Sequence, residues 1–340
     1  MAVGDNAEAA IRSYIAYGKE SVFGTYASVS VAVEAISCSF RVDKESMKLE
    51  TLNKSRDYSK RVQTIQNVTG TLETYVHPVE SVLLFATAMG GGVSTSSLSG
   101  IAIHTITAGN FDTSPSSVSF NVRKGSAGTH VWQYTGGRPA VVTLAAEVGE
   151  PIRMTTEMIF QDATIGSNDI GANLSVSSLA PFVYHQGQYI YAAGTSSLTT
   201  TNAEPIQSFE LVIDNGIISD AAARELGSQI PSVLPATQRD IQLTISQRWD
   251  TTTNYSRFIQ ATEGSIRLQF SGSTITSTAA NTYLWQIDMP KVLMNSPDPE
   301  LTAAGDILQS EITFDVVTSN PQTTTGYAIV ATIHNATNAY

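Results

Sequence analysis

The side chains that could carry chemistry are few, and they are scattered along the chain. The five histidines could bind a metal or act as a general base: His77, His104, His130, His185 and His334. Histidines that bind one metal often recur at short spacings, such as i and i+4, because this brings two ring nitrogens to one ion. No two of these histidines have such a spacing, so each is expected to have a structural role.

The other candidate groups also have simple structural explanations. The run Gly90-Gly91-Gly92 follows a predicted helix, where glycine ends the helix rather than cradling a phosphate. Asp298 and Glu300 lie in the sequence SPDPE, which is typical of a turn. Cys38 lies on an apolar strand face and is expected to be an inert, buried thiol. The sequence has no nucleophile elbow, zinc motif or phosphate loop, so we predict neither an enzyme nor a bound cofactor or metal.

Three tryptophans, Trp132, Trp249 and Trp285, could form a platform that stacks on a sugar ring. A carbohydrate-binding or adhesive β-sandwich is therefore one alternative function. Trp132 and Trp285 occupy matching positions in the internal repeat described below, which instead favours a layer of the core.

The composition excludes several classes of protein. The chain has 340 residues, a formal charge of −11 and only 14% charged side chains. Its single cysteine excludes an internal disulfide framework and a multi-cysteine zinc site. Nineteen basic against thirty acidic residues argue against a surface that grips nucleic acid. Serine and threonine fill roughly a fifth of the chain, which suits β-structure and surfaces that contact other protein.

Short strands dominate the predicted secondary structure. Apolar residues alternate with polar ones in segments such as 118–122, 241–246 and 266–270, which predicts a mainly β fold. The predicted helices cover residues 6–16, 79–89, 219–227 and 252–260. No stretch is long and apolar enough for a membrane span, and the first residues lack the pattern of a signal peptide, so synthesis in a cytoplasm is expected.

Matching elements occur twice along the chain in the same order. Cys38, Phe40 and Val42 align with Phe209, Leu211 and Ile213 at an offset of 171, and Leu72 aligns with Leu243 at the same offset. Further on, residues 117–122 resemble residues 265–270, and Trp132 matches Trp285.

The order of these matches predicts an N-terminal arm over residues 1–24 and two copies of one β domain, over 25–190 and 191–340. A single large sandwich whose strands merely look alike is the alternative.

The first copy contains a long connection, residues 44–66, that holds much of the basic charge. Loops of this length between strands are usually functional, and residues 215–240 form a counterpart in the second copy. We predict an arm that reaches a neighbouring copy of this acidic protein, because opposite charges favour ordered self-association. The basic residues assigned to this arm are Lys48, Lys54, Arg56, Lys60 and Arg61.

The ordered set of motifs resembles the tail tube proteins of tailed bacteriophages, in a duplicated form. In the first half it consists of GKESVFGTY (18–26), FRVDKES (40–46) and the helix sequence HPVESVLLFATAMGGG (77–92). In the second half it consists of DIQLTISQRW (240–249), YLWQIDMPKV (283–292) and GDILQSEITFDVV (305–317). The resemblance covers nearly the whole chain.

This resemblance implies a structural virion protein with two tandem tube-like β-sandwich or barrel domains, each flanked by an α-helix. Three copies would form a pseudo-hexameric ring, and rings would stack into a hollow tail tube that delivers the genome. The implied partners are further copies of the chain, a tape-measure protein, tail terminator and baseplate or tip proteins, and double-stranded DNA that passes without specific binding. A sheath protein around the tube remains an open question, and another virion component, such as a tail terminator, is an alternative identity.

In such a tube, the polar faces of strands 36–42, 68–76, 207–214 and 241–248 are predicted to line the lumen. An acidic lining repels phosphate, so DNA would slide through rather than stick. The residues assigned to the lumen are Thr69, Thr71, Glu73, Glu210, Gln242, Thr244 and Ser246. Arg41 and Arg248 fall on the same faces and do not fit an acidic lining.

Overall fold

The structure of the protein is a computed structural model. It describes residues 10–52, 56–90, 93–98, 100–109, 116–125, 130–166, 168–171, 174–194, 198–275, 281–295, 297, 307–319 and 326–337. Within these residues the chain forms nineteen strands and two α-helices, and the pairs of strands are antiparallel, so the mainly β prediction is confirmed.

The elements of the first half run up to residue 166. They are β1 (Tyr14–Lys19), β2 (Val31–Val33), β3 (Ala35–Cys38), β4 (Arg41–Lys48), β5 (Arg61–Tyr75), α1 (Glu80–Met89), β6 (Val93–Leu98), β7 (Ile101–Thr107), β8 (Val118–Arg123), β9 (Val131–Glu147), β10 (Arg153–Phe160) and β11 (Asp162–Gly166).

The elements of the second half begin at residue 187. They are β12 (Gly187–Ala193), β13 (Ala203–Glu204), β14 (Ser208–Asp214), β15 (Asp240–Arg248), α2 (Thr253–Ile259), β16 (Gly264–Thr274), β17 (Thr282–Met294), β18 (Gln309–Val316) and β19 (Val330–Asn335). The predicted domain boundary, between residues 190 and 191, falls within β12.

One long sheet runs through both halves of the chain. Its strands lie in the order β3/β4, β5, β10, β9, β14, β15, β18, and it ends on the last residues of β17. The junction between the halves is the β9–β14 pair, in which Leu144 lies opposite Leu211. Apolar side chains of this sheet alternate with polar ones, so one face is buried and the other is open to solvent.

A second layer covers the buried face. It contains the strands β2, β1, β8, β9 and β11 in the first half, and β13, β12, β16, β17 and β19 in the second. The two layers meet in ring contacts such as Phe209 with Phe270 (5.6 Å between centroids) and Phe40 with Phe120 (5.1 Å). The hairpin β6–β7 extends this layer by pairing β7 with β19.

The order of strand pairing in the first half recurs in the second. In the first half β9 pairs with β8, β10 and β11, and in the second half β17 pairs with β16, β18 and β19. Trp132 stands opposite Val122 and Ile165, and Trp285 stands opposite Phe270 and Ile333 in the same arrangement.

The predicted alignment of residues 38–42 with residues 209–213 needs a shift of two residues. Cys38 lies opposite Leu72, but the residue opposite Leu243 is Leu211 rather than Phe209. A register irregularity between Ala35 and Ser37 accompanies this shift.

The helices differ in part from the sequence prediction. Helix α1 agrees with residues 79–89 and ends at Gly90, whose positive φ of 64° lets its N–H reach the carbonyls of Ala86 and Thr87. Helix α2 agrees with residues 252–260. Of the helix predicted over residues 6–16, residues 10–12 form one 3₁₀ turn, and the prediction is wrong from Tyr14, where the chain forms β1, which is paired on both sides. Residues 221–223 form only one 3₁₀ turn.

The two helices are buried to very different extents. All ten residues of α1 are buried beneath the long sheet and the hairpin β6–β7. In α2, Asn254 alone is buried, and Tyr255 and Ile259 are exposed.

Candidate functional site

A single polar face brings together all seven residues that the sequence assigned to a lumen. Thr69, Thr71 and Glu73 lie on β5, Glu210 on β14, and Gln242, Thr244 and Ser246 on β15. Residues that are directly paired across strands point to the same side of a sheet. One row of paired residues runs through Ser37, Glu73, Thr155, Thr143, Val212, Gln242, Asp315 and Leu293. The other five assigned residues lie two or four positions along the same strands, so all seven share this face, which we call the polar face.

The polar face carries an excess of negative charge. Its acidic residues include Glu73, Glu147, Glu157, Glu210, Asp214, Asp240, Glu311 and Asp315. Its arginines are Arg41, Arg138, Arg153 and Arg248. These eight carboxylates outnumber the four guanidinium groups and leave this surface acidic, with Ser and Thr between the charges.

Two of the four arginines have their charge partly offset or covered. Arg153 forms ion pairs with Glu73 (3.6 Å) and Glu150 (3.1 Å). Arg138 donates to the carbonyl of Leu234 and stacks over the ring of Phe23, and its burial lowers the pKa of its guanidinium. Arg41 and Arg248 are exposed and stay unexplained.

Sequence reasoning missed the part of the polar face that comes from β9, β10 and β18. The signal is nevertheless present as alternation. In β10, Arg153, Thr155 and Glu157 alternate with buried methionines, and in β18, Glu311 and Asp315 flank buried Phe314. These strands could therefore have been assigned to the same face.

The basic connection predicted as a loop is largely a projecting β-hairpin. Strands β4 and β5 stay paired from Arg41 opposite Thr69 out to Lys48 opposite Arg61. Residues 49–52 and 56–60 lie at the end of this hairpin, between the two strands. We call residues 41–68 the β4–β5 hairpin.

The β4–β5 hairpin has little support from the rest of the chain. Nearly all residues of β4 and the first four residues of β5 are exposed on both faces of the hairpin. Met47 and Tyr58 are more than half exposed, at 54% and 56%, and Leu52 is fully exposed. An isolated two-stranded hairpin is at best marginally stable in water, and exposed apolar groups of this kind mark contact surfaces.

The assigned basic residues of the hairpin are exposed wherever the structure describes them. These are Lys48, Arg56, Lys60 and Arg61, whereas Lys54 lies outside the described residues. Arg61 donates from Nε to the hydroxyl of Ser46 (2.7 Å), and the ammonium of Lys48 lies 5.4 Å from the ring centre of Tyr58. The hairpin therefore presents a mixed cationic and apolar surface.

The counterpart connection, residues 215–239, does not project. It folds back on the first half, where the carbonyl of Gln229 accepts from the backbone N–H of Gln66 (2.9 Å). The guanidinium of Arg224 donates to Asn67 (2.6 Å) and to the carbonyl of Gln66 (3.1 Å). The two long connections thus have different environments, although they follow corresponding strands.

The side chains considered for chemistry do not form a site. His77 and His104 are buried, and His104 is bonded to Thr95 and Asn335. Within the described residues, no three His, Cys, Asp or Glu side chains are placed to hold a metal ion. Cys38 is half-buried, and burial raises the pKa of its thiol. Asp298 and Glu300 lie outside the described residues, as do Gly91 and Gly92.

The tryptophans do not lie at equivalent depths. Trp285 is buried in the core, as predicted, at 1% exposure, but Trp132 is only half-buried. Trp249 is half-buried as well, beyond the end of β15.

A cavity of about 500 Å³ opens in the second half, between residues of β12, β13 and β16. Aromatic and aliphatic residues line most of it, among them Tyr189, Phe209 and Phe270, and Glu204 provides a charge at its edge. Glu204 is already ion-paired with Arg257 (2.9 Å).

These features are typical of a structural protein built from β-sheets, with a broad acidic face and a projecting hairpin. Comparison with known families agrees with this class. The family model of the phage tail tube protein matches residues 10–316, and the chain belongs to this family. It is therefore a structural component of a virion tail that self-assembles into a tube.

Two further observations complete this description. Among curated proteins, none matches this chain significantly. In the part of the chain that the structure describes, neither helix has the length and apolar character needed to cross a membrane.

Proposed function

We propose that three copies of this chain form a pseudo-hexameric ring, and that stacked rings form the tube through which the phage genome is delivered. In this proposal each chain contributes two equivalent units, one from β1 to β11 and one from β12 to β19. The recurrence of the same strand pairing in the two halves supports this duplication.

The observation that carries the proposal is the continuity of the polar face across both halves. Strands from the two units share one sheet through the β9–β14 pair, so their polar side chains form one surface. Three such sheets joined edge to edge would close into a barrel, and closure removes the exposed edge strands that otherwise promote aggregation. The inner surface of that barrel would be the polar face, with Glu73, Glu210 and Thr244 facing the lumen.

The acidic excess of the polar face supports passage of DNA without capture. Protein surfaces bind DNA by placing Lys and Arg against its phosphates, and eight carboxylates oppose this. A tape-measure protein would occupy the lumen before the DNA, and terminator and baseplate or tip proteins would cap the tube. We propose that assembly takes place in the host cytoplasm, and that the chain has no enzymatic role.

The β4–β5 hairpin is proposed to bridge successive rings. It extends away from the body of the chain, and it carries basic residues on a protein whose net charge is −11. An acidic neighbouring ring would attract these residues, and burial of Met47, Leu52 and Tyr58 would add apolar contact.

Electron microscopy of the purified protein at high concentration tests this function. We expect hollow filaments, and native mass spectrometry of short assemblies should give multiples of three chains. Filaments with a solid centre would contradict the proposal. So would a protein that stays monomeric and is also left out of tails in cells that produce the other phage proteins.

A further inference from the structure

Among the residues that the structure describes, the contact between α1 and the second half of the chain has no counterpart on the first half. Phe85 of α1 packs edge-on against Trp285 of β17, with 5.4 Å between ring centres. Together with Phe182 at 6.5 Å and the pairing of β7 with β19, this contact leaves Trp285 and Ile333 almost completely buried. A helix of the first half therefore covers Trp285 and Ile333 of the second half, which we call the Trp285–Ile333 row.

The corresponding row on the first half is open. Trp132 and Ile165 are paired as Trp285 and Ile333 are, yet Ile165 is 73% exposed and Trp132 is only half-buried. Strand β11 pairs with β9 along one edge, and no described strand pairs with its other edge. At this unpaired strand edge Ile165 is exposed, whereas the ring of Trp132 lies beside the ammonium of Lys124 (4.9 Å) and the ring of His130 (6.4 Å). Soluble proteins usually cover apolar side chains that are exposed at a strand edge.

Helix α2 occupies the same position in the second half as α1 does in the first, and it carries exposed apolar side chains. It begins five residues after the end of β15, as α1 begins five residues after the end of β5, and Phe258 is its sixth residue as Phe85 is the sixth of α1. Tyr255, Phe258 and Ile259 share one face, because residues three and four apart are neighbours on a helix. Ile259 is 63% exposed and Tyr255 is 39% exposed.

The opposite side of α2 is fixed to its own half. Arg257 donates to Glu204 (2.9 Å) and to Asn254 (2.7 Å), and its guanidinium lies 4.3 Å from the ring centre of Tyr191. Arg257 therefore fixes the orientation of the helix, in which Tyr255 and Ile259 are exposed and Phe258 is half-buried.

We propose that α2 of one copy docks on the Trp132–Ile165 row of the next copy, as α1 docks on the Trp285–Ile333 row within the chain. This inference rests on the proposed ring, in which the second half of one copy adjoins the first half of the next. The occupant is a second copy because the chain already makes the equivalent contact with itself.

The ring would contain a junction between the two halves of each chain and a junction between neighbouring copies, and these two would differ in one respect. The hairpin β6–β7 follows α1 and pairs with β19, whereas α2 is followed after four residues by β16. At the junction between copies, no strand would be added to β11, and the helix alone would cover the row. This junction therefore depends more heavily on the side chains of α2.

Substitution of the exposed isoleucines tests the contact in protein that forms tubes. Ile259→Asp should leave the melting temperature unchanged, because the side chain is exposed, and should raise the concentration needed for tubes at least about tenfold. Ile165→Lys should have a similar effect from the other side of the junction. Leu226→Asp, at a fully exposed leucine of the segment 215–239, is the matched control and should assemble normally.

The double variant Ile259→Asp with Ile165→Lys separates a direct contact from a general loss of solubility or folding. Opposite charges on facing copies should restore part of the lost assembly. Normal assembly of both single variants would overturn this inference and leave the proposed tube intact. Failure of the unchanged protein to form tubes would instead overturn the proposed function, and this inference with it.

Discussion

Leu144 of β9 lies directly opposite Leu211 of β14, and both side chains are almost completely buried. This pair lies at the junction where the strands of the first half meet those of the second. Because the junction is a hydrogen-bonded strand pair within one sheet, the two halves share their core as well as their polar face.

The shared core predicts that damage at the junction affects the whole chain. Leu211→Ala should lower the free energy of unfolding by about 2–5 kcal/mol, because it removes buried apolar volume and leaves a cavity. Unfolding in urea, followed by tryptophan fluorescence, measures this loss. Leu226→Ala, at an exposed position, should change it by less than about 0.5 kcal/mol. A loss confined to one of two separate transitions would show that the halves unfold independently.

Removal of the projecting part of the β4–β5 hairpin should separate ring formation from stacking. Ser46 lies opposite Gln63, so residues 46–63 can be replaced by an Asn-Gly turn that closes the shortened hairpin. We expect rings of normal size and melting temperature but no tubes, because the removed residues contact little of the rest of the chain. Electron microscopy distinguishes the two, and tubes of normal length from this variant would rule out a bridging role for the hairpin.

Charge reversal on the polar face should slow the passage of DNA without preventing assembly. Glu157→Lys with Glu210→Lys places two new cations from each copy against the phosphates. Cations at a lumen wall hold DNA through salt-dependent contacts. Tubes should form normally, and genome release from particles that carry the variant should be slower, most strongly at low salt.

The matched control for this charge reversal is Glu225→Lys with Asp250→Lys, which changes the net charge equally at exposed positions outside the strands that form the polar face. This control should release DNA at the normal rate. Equal rates for both variants would mean that the polar face does not meet the DNA.

The buried carboxyl of Glu80 predicts a dependence of stability on pH. Burial raises the pKa of Glu80 from its ordinary value of 4.5, although the N–H of Ser177 and the nearby His77 act in the opposite direction and Glu34 raises it further. A raised pKa means that the folded state binds this proton more tightly than the unfolded state. The contribution of Glu80 to stability should therefore fall as the pH rises from about 4.5 through its raised pKa.

Glu80→Gln tests this sign, because glutamine keeps an acceptor for Ser177 without a charge. Relative to the unchanged protein, the variant should gain stability between pH 5 and pH 8, as measured by urea midpoints at each pH. His77 and Glu34 are present in both proteins, so the difference between the two proteins reports the change at Glu80. A variant that loses stability over this range would show that the ionised carboxylate is stabilised by its neighbours.

Sequence and tertiary structure contributed different parts of this description. Alternation along β5, β14 and β15 was enough to place Thr71, Glu210 and Thr244 on a polar face, because the side chains of a strand point alternately to its two sides. Helix α1 and its end at Gly90 could also be predicted from the local sequence, because they follow from an apolar run and a glycine.

Only the tertiary structure decided which strands are neighbours. No local pattern reports that β9 pairs with β14, that residues 41–48 continue as a paired strand, or that Trp285 is covered while Trp132 is left half-open. These differences depend on contacts between residues far apart in the chain, where hydrogen bonds and apolar burial offset the cost of closing long loops. The sequence by itself therefore determined the faces of the strands, and the fold determined how those faces join into one surface.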